Sequence, residues 1–431
     1  MKKLWLALAL SGTAWAQSEA TSDAVRFRIQ AGGREQYKLA VPRPLGDAEA
    51  GKLEVDVASL DLALSGYFKI LDPASFLANL TLEGIGINPQ DWKNIGAEGV
   101  MKARATPYGD DIKYEFRLYE LAKGNQPVLS RDYRGPRAQA RLMVHEWCGE
   151  VLRYYTGEDN FFRSRIAFTA QASRNRDVFT MEWDGNRPAQ VTSNRSQNLL
   201  PAWSPGGGEL AITSFLGGKP DLYVVPSGGG KFKAISTRAG LNMGAAYSPD
   251  GSKIAVTLSQ DGNSEIYLLA RTGQILKRLT NNPYIDTSPS WSPDGSRIAF
   301  VSDRHGSPQI WMMNADGSNQ HLITFKGKYN QTPVWCPRKD TPLIAFTARD
   351  EKLAFDIFTI NVDSGELVRI TEGRGSNQHP TWAPNGRALA YESSRGGIWI
   401  STADGRTERQ VYHGSAASPT WGPQLPSTLG K

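Results

Sequence analysis

A short phrase recurs six times along the last two thirds of the chain, and its spacing restricts the fold more than any other feature. An aromatic residue, then Ser, Cys, Ala or Gly, then Pro, usually with a turn behind it, stands at Trp203-Ser204-Pro205-Gly206, Tyr247-Ser248-Pro249-Asp250-Gly251, Trp291-Ser292-Pro293-Asp294-Gly295, Trp335-Cys336-Pro337, Trp382-Ala383-Pro384-Asn385-Gly386 and Trp421-Gly422-Pro423. The aromatics lie 44, 44, 44, 47 and 39 residues apart. That interval is the length of a four-stranded propeller blade.

Each copy carries the same three runs, exemplified by Ile298-Ala299-Phe300, Ile310-Trp311-Met312 and Leu322-Ile323-Thr324, except that the last run of the sixth, Arg409-Gln410-Val411-Tyr412, lacks the closing Thr or Ser. Short β-branched and aromatic runs between turn signals are strands, and Pro-Asp-Gly turns the chain because proline presets φ while aspartate and glycine accept the backbone angles of a turn. No 3.6-residue periodicity occurs after residue 165. The first copy, at Ile166, has no aromatic-Pro strand before it, and the last aromatic-Pro strand, at Trp421, has no blade behind it. The expected fold is therefore an α/β N-terminal domain followed by an all-β six-bladed propeller closed by the C-terminal strand. Ser418–Trp421 would complete the blade begun at Arg165 and leave no sheet edge open. The repeated tryptophans are expected between blades, and Asp250 and Asp294 in turns.

The chain opens with Lys2-Lys3, an apolar stretch Leu4–Leu10 and a small-x-small site at Ala14-Trp15-Ala16. This is the pattern of a secretory leader, too short to span a bilayer. The expected plan is a leader over 1–16, a small α/β domain over 17–160, the propeller over 161–424 and a loose tail over 425–431. The product is expected to be soluble, periplasmic and monomeric. Its formal charge of +6 falls to +4 without Lys2 and Lys3, and its basic residues are scattered, which argues against nucleic acid. Cys148 and Cys336 are expected as two buried free thiols.

In the first domain, Lys38–Val41, Tyr67–Leu71 and Gly99–Thr106 read as strands, and Ile112–Tyr119 with Val128–Tyr133 as a hairpin. Leu53, Val57, Leu60 and Leu64 mark one helix face, and Ala140, Met143, Val144, Trp147, Val151 and Tyr154 another, in a helix expected from Arg137 to Tyr155 and stopped by Gly157. No nucleophile elbow, P-loop or dinucleotide fingerprint is present. His145-Glu146 fails as a zinc helix because Gly149 stands where the second histidine belongs. No catalytic residue, cofactor or metal is assigned.

One regularity is not explained by packing. Five residues before the aromatic stand Asn198, Asn242, Asp286, Asn330 and Asn377, with Ala416 in the sixth copy. Two readings stay open. These residues cap turns, or they form a ring of hydrogen-bonding groups around the channel mouth, where loops on a rigid scaffold carry function.

The succession of leader, α/β domain and six blades resembles the TolB family of the Tol–Pal cell-envelope system. The resemblance rests on Pro289–Phe300, on the junction Phe161-Phe162-Arg163-Ser164-Arg165-Ile166-Ala167-Phe168, and on Asp91-Trp92 with Gly96-Ala97-Glu98. It implies a non-enzymatic scaffold that supports outer-membrane integrity and cell division. A Pal-like lipoprotein would dock on one propeller face, through channel-mouth loops that include Asn198, Asn242, Met243, Gly244, Asp286, Thr287, Ser288, Asn330 and Asn377. A TolA-like protein would engage the N-terminal segment near Val25, Arg26, Phe27, Arg28 and Ile29. The competing readings are an exported propeller lyase or hydrolase and an envelope sugar- or peptide-binding module.

Overall fold

Blade closure governs the architecture. The structure, a computed structural model, describes residues 36–77, 79–349, 354–427 and 429. Six four-stranded antiparallel sheets follow one another. Blades one to five begin at Asn198, Asn242, Asp286, Asn330 and Asn377. The sixth blade takes its innermost strand, Ala416–Trp421, from the end of the chain, and that strand pairs with Arg165–Ala172, setting Trp421 opposite Ile166. The ring is thus closed by the C-terminal strand, as the phase of the repeat predicts.

The two middle strands of a blade are stacked between neighbouring blades, so both their faces are buried. Arg297–Ser302 and Gln309–Asn314 read as nearly unbroken apolar runs for that reason. The tryptophans join blades, as expected. The indole N–H of Trp203 donates to the Thr420 carbonyl, that of Trp291 to Ala246 and that of Trp382 to Val334. Each acceptor lies on the innermost strand of the preceding blade. Asp250 and Asp294 accept from the Ser252 and Ser296 amides at 3.1 Å, which makes them turn residues.

In the first domain a mixed sheet places Tyr37–Ala40 between Phe68–Ile70 and Gly99–Tyr108, followed by Asp111–Glu120 and Leu129–Pro136. Helix Ala48–Leu64 is capped by Asp47, which accepts the Glu49 and Ala50 amides. Helix Ala140–Thr156 ends at Gly157, in the left-handed conformation with φ 71°. It is entered through a 3₁₀ turn at Arg137–Gln139. One apolar cluster runs from sheet residues Met101 and Phe116, through Val144 and Trp147 of the second helix, into Phe168, Trp183, Ile398 and Trp421 of the propeller. The two domains therefore share a core. Cys148 and Cys336 are buried and free. Residues 1–16, where a leader is expected, and Val25–Ile29 lie outside the described residues.

Candidate functional site

The repeated Asn and Asp side chains lie inside the protein. Asn198, Asn242, Asp286, Asn330 and Asn377 are all essentially inaccessible to solvent. Each sits 21 residues after a polar side chain within the first three residues of the third strand of the preceding blade: Asp177, Asp221, Glu265, Gln309 and Asp356. The Asn198 amide donates to Asp177 at 2.8 Å, Asn242 to Asp221 at 3.3 Å, Asn330 to Gln309 at 2.6 Å and Asn377 to Asp356 at 3.3 Å. At the remaining junction two carboxylates face each other, so Asn282 bridges them, giving its amide N–H to Glu265 and its side-chain NH₂ to Asp286.

At three of these junctions a threonine two residues past the end of the fourth strand completes the arrangement. Thr192 Oγ1 donates to Asp177 and accepts the Val178 amide. Thr324 and Thr371 do the same with Gln309 and Asp356. These groups form inter-blade latches, which corrects the idea of a ring of side chains that greets a partner. Burial inside a blade junction and exposure at a channel mouth use the same residue types. The sequence signal for the latch is the constant spacing of three polar residues, and the Asn/Asp position alone does not reveal it.

The residues behind each latch line the channel. Met243, Gly244, Thr287 and Ser288 are half-buried there. Every innermost strand carries a bulge at this point, with a left-handed residue two positions past the latch: Leu200, Gly244, Ser288, Thr332, His379 and Ser418, all with φ between 49° and 65°. His379 Nδ1 stands 3.1 Å from Glu392, whose other oxygen accepts the Ser418 amide. Burial opposes the charge on Glu392, but the His379 contact outweighs it and holds its carboxyl below the usual range.

The two faces of the ring differ. Loops between second and third strands mesh with the loops that lead into the next blade. Lys219 reaches the Thr237 and Arg238 carbonyls, Asn263 reaches those of Asn282 and Tyr284, and the Ile285 amide donates to Asp303. Phe215, Leu216, Leu241, Tyr284, Ile285 and Phe325 are exposed on this face. They are six of the eleven large exposed apolar side chains among the described residues, so the apolar surface is concentrated here.

The opposite face holds the N-terminal domain. Arg387 Nε donates to Glu158 at 2.8 Å, Arg338 stands 3.2 Å from the same carboxylate, and Asn385 donates to the Asp159 carbonyl. A cleft of about 600 Å³ remains between the domains, and Gln36 lies on its wall. At the joint, His145 Nδ1 bonds Asp61 at 2.8 Å within a fully buried pair. His145, Glu182 and Asp184 bring ligand atoms within 4.8 Å of one another. However, the Arg141 guanidinium already bonds Asp184 and stands 3.5 Å from Glu182, so the cationic position is filled. No helix among the described residues is long and apolar enough to cross a membrane.

Comparison with known proteins agrees with this arrangement. Residues 153–425 match the family model described as TolB beta propeller domain, and residues 25–127 match the TolB amino-terminal domain. The chain is 40% identical over 225 residues to the Tol-Pal system protein TolB of Anaeromyxobacter dehalogenans, covering 50% of this chain and 51% of that protein. It is 35% identical over 199 residues to the protein of the same name from Desulfosudis oleivorans, covering 44% and 45%. The chain thus spans about half the length of the curated relatives it matches. The crystal structure of TolB from Acinetobacter baumannii superposes with a TM-score of 0.78 at 27% identity, covering 90% of this chain and 97% of that one. These relatives are named for a system and not for a reaction. With both parts of the chain matched in this order, and the same architecture found in a solved relative, the chain belongs to the TolB family.

Proposed function

We propose that this chain is a periplasmic, non-enzymatic scaffold of the Tol–Pal system. It docks a Pal-like peptidoglycan-associated lipoprotein on the propeller face turned away from the N-terminal domain, and so supports outer-membrane integrity and cell division. The observation that carries this reading is the concentration of exposed apolar side chains on that face. Monomeric proteins rarely leave such surface uncovered without a partner, and a broad face of this kind accommodates a standard interface of roughly 1,600 Å². The contact residues in this reading are Met243, Gly244, Thr287 and Ser288 with the exposed rim around them. The buried latches hold the loops in place. A TolA-like protein engages the segment that contains Val25–Ile29, which precedes the interdomain cleft at Gln36.

Capture of the host's Pal-like lipoprotein, as its soluble domain, tests the reading. Wild-type protein should retain it, and Ile285→Arg should lose it while unfolding at the same temperature. Retention by the variant removes this face from the proposal. Deleting residues up to Ile29 should abolish TolA capture and spare lipoprotein capture.

A further inference from the structure

We infer that this face selects an acidic protein surface that carries its own exposed apolar side chains; the inference rests on the docking reading above and adds the chemistry of the partner. Five exposed cations stand on the face: Arg174, Arg195, Lys326, Lys328 and Arg349. None of them is in an ion pair among the described residues, and Arg349 only covers the Phe355 ring. Among the described residues, the acids of the same loops are already engaged. Asp261 lies 3.5 Å from Arg278, Glu372 lies 3.5 Å from Arg369, and Asp303 accepts the Ile285 amide. Among the described residues of these loops, unpaired cations therefore outnumber unpaired acids.

Its placement is as informative as its sign. Followed around the ring, Arg174 and Arg195 come first, in the sixth blade and the loop leaving it. The apolar stretch from Phe215 to Ile285 comes next. Lys326, Lys328 and Arg349 close the arc. An apolar centre between charged ends has the core-and-rim order of a protein–protein interface. Within the loop Phe325-Lys326-Gly327-Lys328 the same order appears on a small scale, with Phe325 81% exposed beside two lysines. Burying the apolar groups supplies affinity. The cations decide which partners approach, because like charges brought together here are repelled and opposite charges are steered in.

The test uses the full chain and two labelled peptides of equal apolar content in Trp, Phe and Leu, one interspersed with Asp and Glu and the other with Lys and Arg. It also uses the soluble domain of the host's Pal-like lipoprotein and vesicles of phosphatidylglycerol. The acidic peptide should bind about tenfold more tightly than the basic one, and less tightly as salt is raised. Lys326→Glu with Lys328→Glu should remove that preference. Lys233→Glu with Lys277→Glu, on fourth strands away from these loops, should leave it intact. Equal binding of the two peptides overturns the inference, as does a preference for the vesicles over the acidic peptide. If the acidic peptide binds selectively and the lipoprotein does not, the choice of lipoprotein fails and the acid selectivity stands. If the lipoprotein binds without regard to salt or to the lysine reversals, docking stands and the acid selectivity fails.

Discussion

At the scale of single residues, the innermost strands carry two devices with opposite costs. The latch satisfies buried polar groups, and losing one partner leaves the other desolvated and unpaired. Asn198→Ala deprives Asp177 of a 2.8 Å donor inside a closed junction. It should lower stability by about 1–3 kcal/mol in urea unfolding, with lipoprotein capture unchanged in the fraction that folds. The bulge costs stability instead, because a left-handed residue with a Cβ is disfavoured by roughly 1–2 kcal/mol. Ser288 has φ 54°, and Gly244 holds the equivalent place one blade earlier. Ser288→Gly should therefore raise stability by up to about 1 kcal/mol once glycine's greater unfolded freedom is subtracted. A fall in stability would show that the serine side chain makes a contact worth more than the strain. Residue types at fixed phase were legible in the sequence, but burial was not. An asparagine reads the same whether its amide meets water or an aspartate on the neighbouring blade.

At the scale of elements, blade boundaries and closure were legible because strand periodicity, turn residues and bulky wedges repeat together. The sixth copy departs from the pattern as a unit, and the structure supplies the reason. Gly397, Tyr412 and Ala416 stand where the other junctions have a third-strand polar side chain, a hydroxyl and an amide or carboxylate. A side chain at Gly397 would collide with the Tyr412 carbonyl. Gln410 takes over, donating to the Gly396 and Tyr412 carbonyls, and Glu392 holds the Ser418 amide. The closing strand depends on packing as well. Trp421 is buried, donates its indole N–H to Ser164 at 2.7 Å and meets Phe161 edge to face at 5.3 Å. Trp421→Ala should cost about 3–5 kcal/mol and, because the strand both closes the ring and touches the joint, should destabilise both domains in one transition. Two separate transitions in calorimetry would show that the joint is not part of the same cooperative unit. Leu80–Glu83, a short helix in the first domain, had no legible signal, since one turn is too short to display a period.

At the scale of the whole molecule, the two domains meet over a buried ionisable cluster, so stability of the assembly should respond to pH. Glu54 and Asp61 reach in from helix Ala48–Leu64, Arg141, His145 and Cys148 from helix Ala140–Thr156, and Glu182 and Asp184 from the sixth blade. Burial raises Asp61 to about 6, with His145 pulling the other way, and burial raises Glu54 well above the usual carboxyl range. For His145, burial disfavours the charged ring, but Asp61 and then Asp184 outweigh it, so its pKa ends above 6.5. All three groups hold protons more tightly folded than unfolded. The folded state therefore binds more protons, and stability falls as pH rises. The Asp61 share is lost between 3.8, its ordinary value, and about 6. The His145 share is intact below 6.5 and is lost as pH passes its raised folded value. The surface turns run the opposite way but titrate lower. Asp250 and Asp294 are held at about 2, first by Ser248 and Ser292, so both are ionised throughout this range. The melting temperature should thus decline from mildly acidic to mildly alkaline solution. Asp61→Asn removes the desolvated carboxylate and the charge that holds the imidazolium, and should flatten the decline. His145→Gln should flatten its upper part only. A wild-type profile that rises with pH across this range would mean that the joint admits water and that its carboxylates ionise as freely as exposed ones.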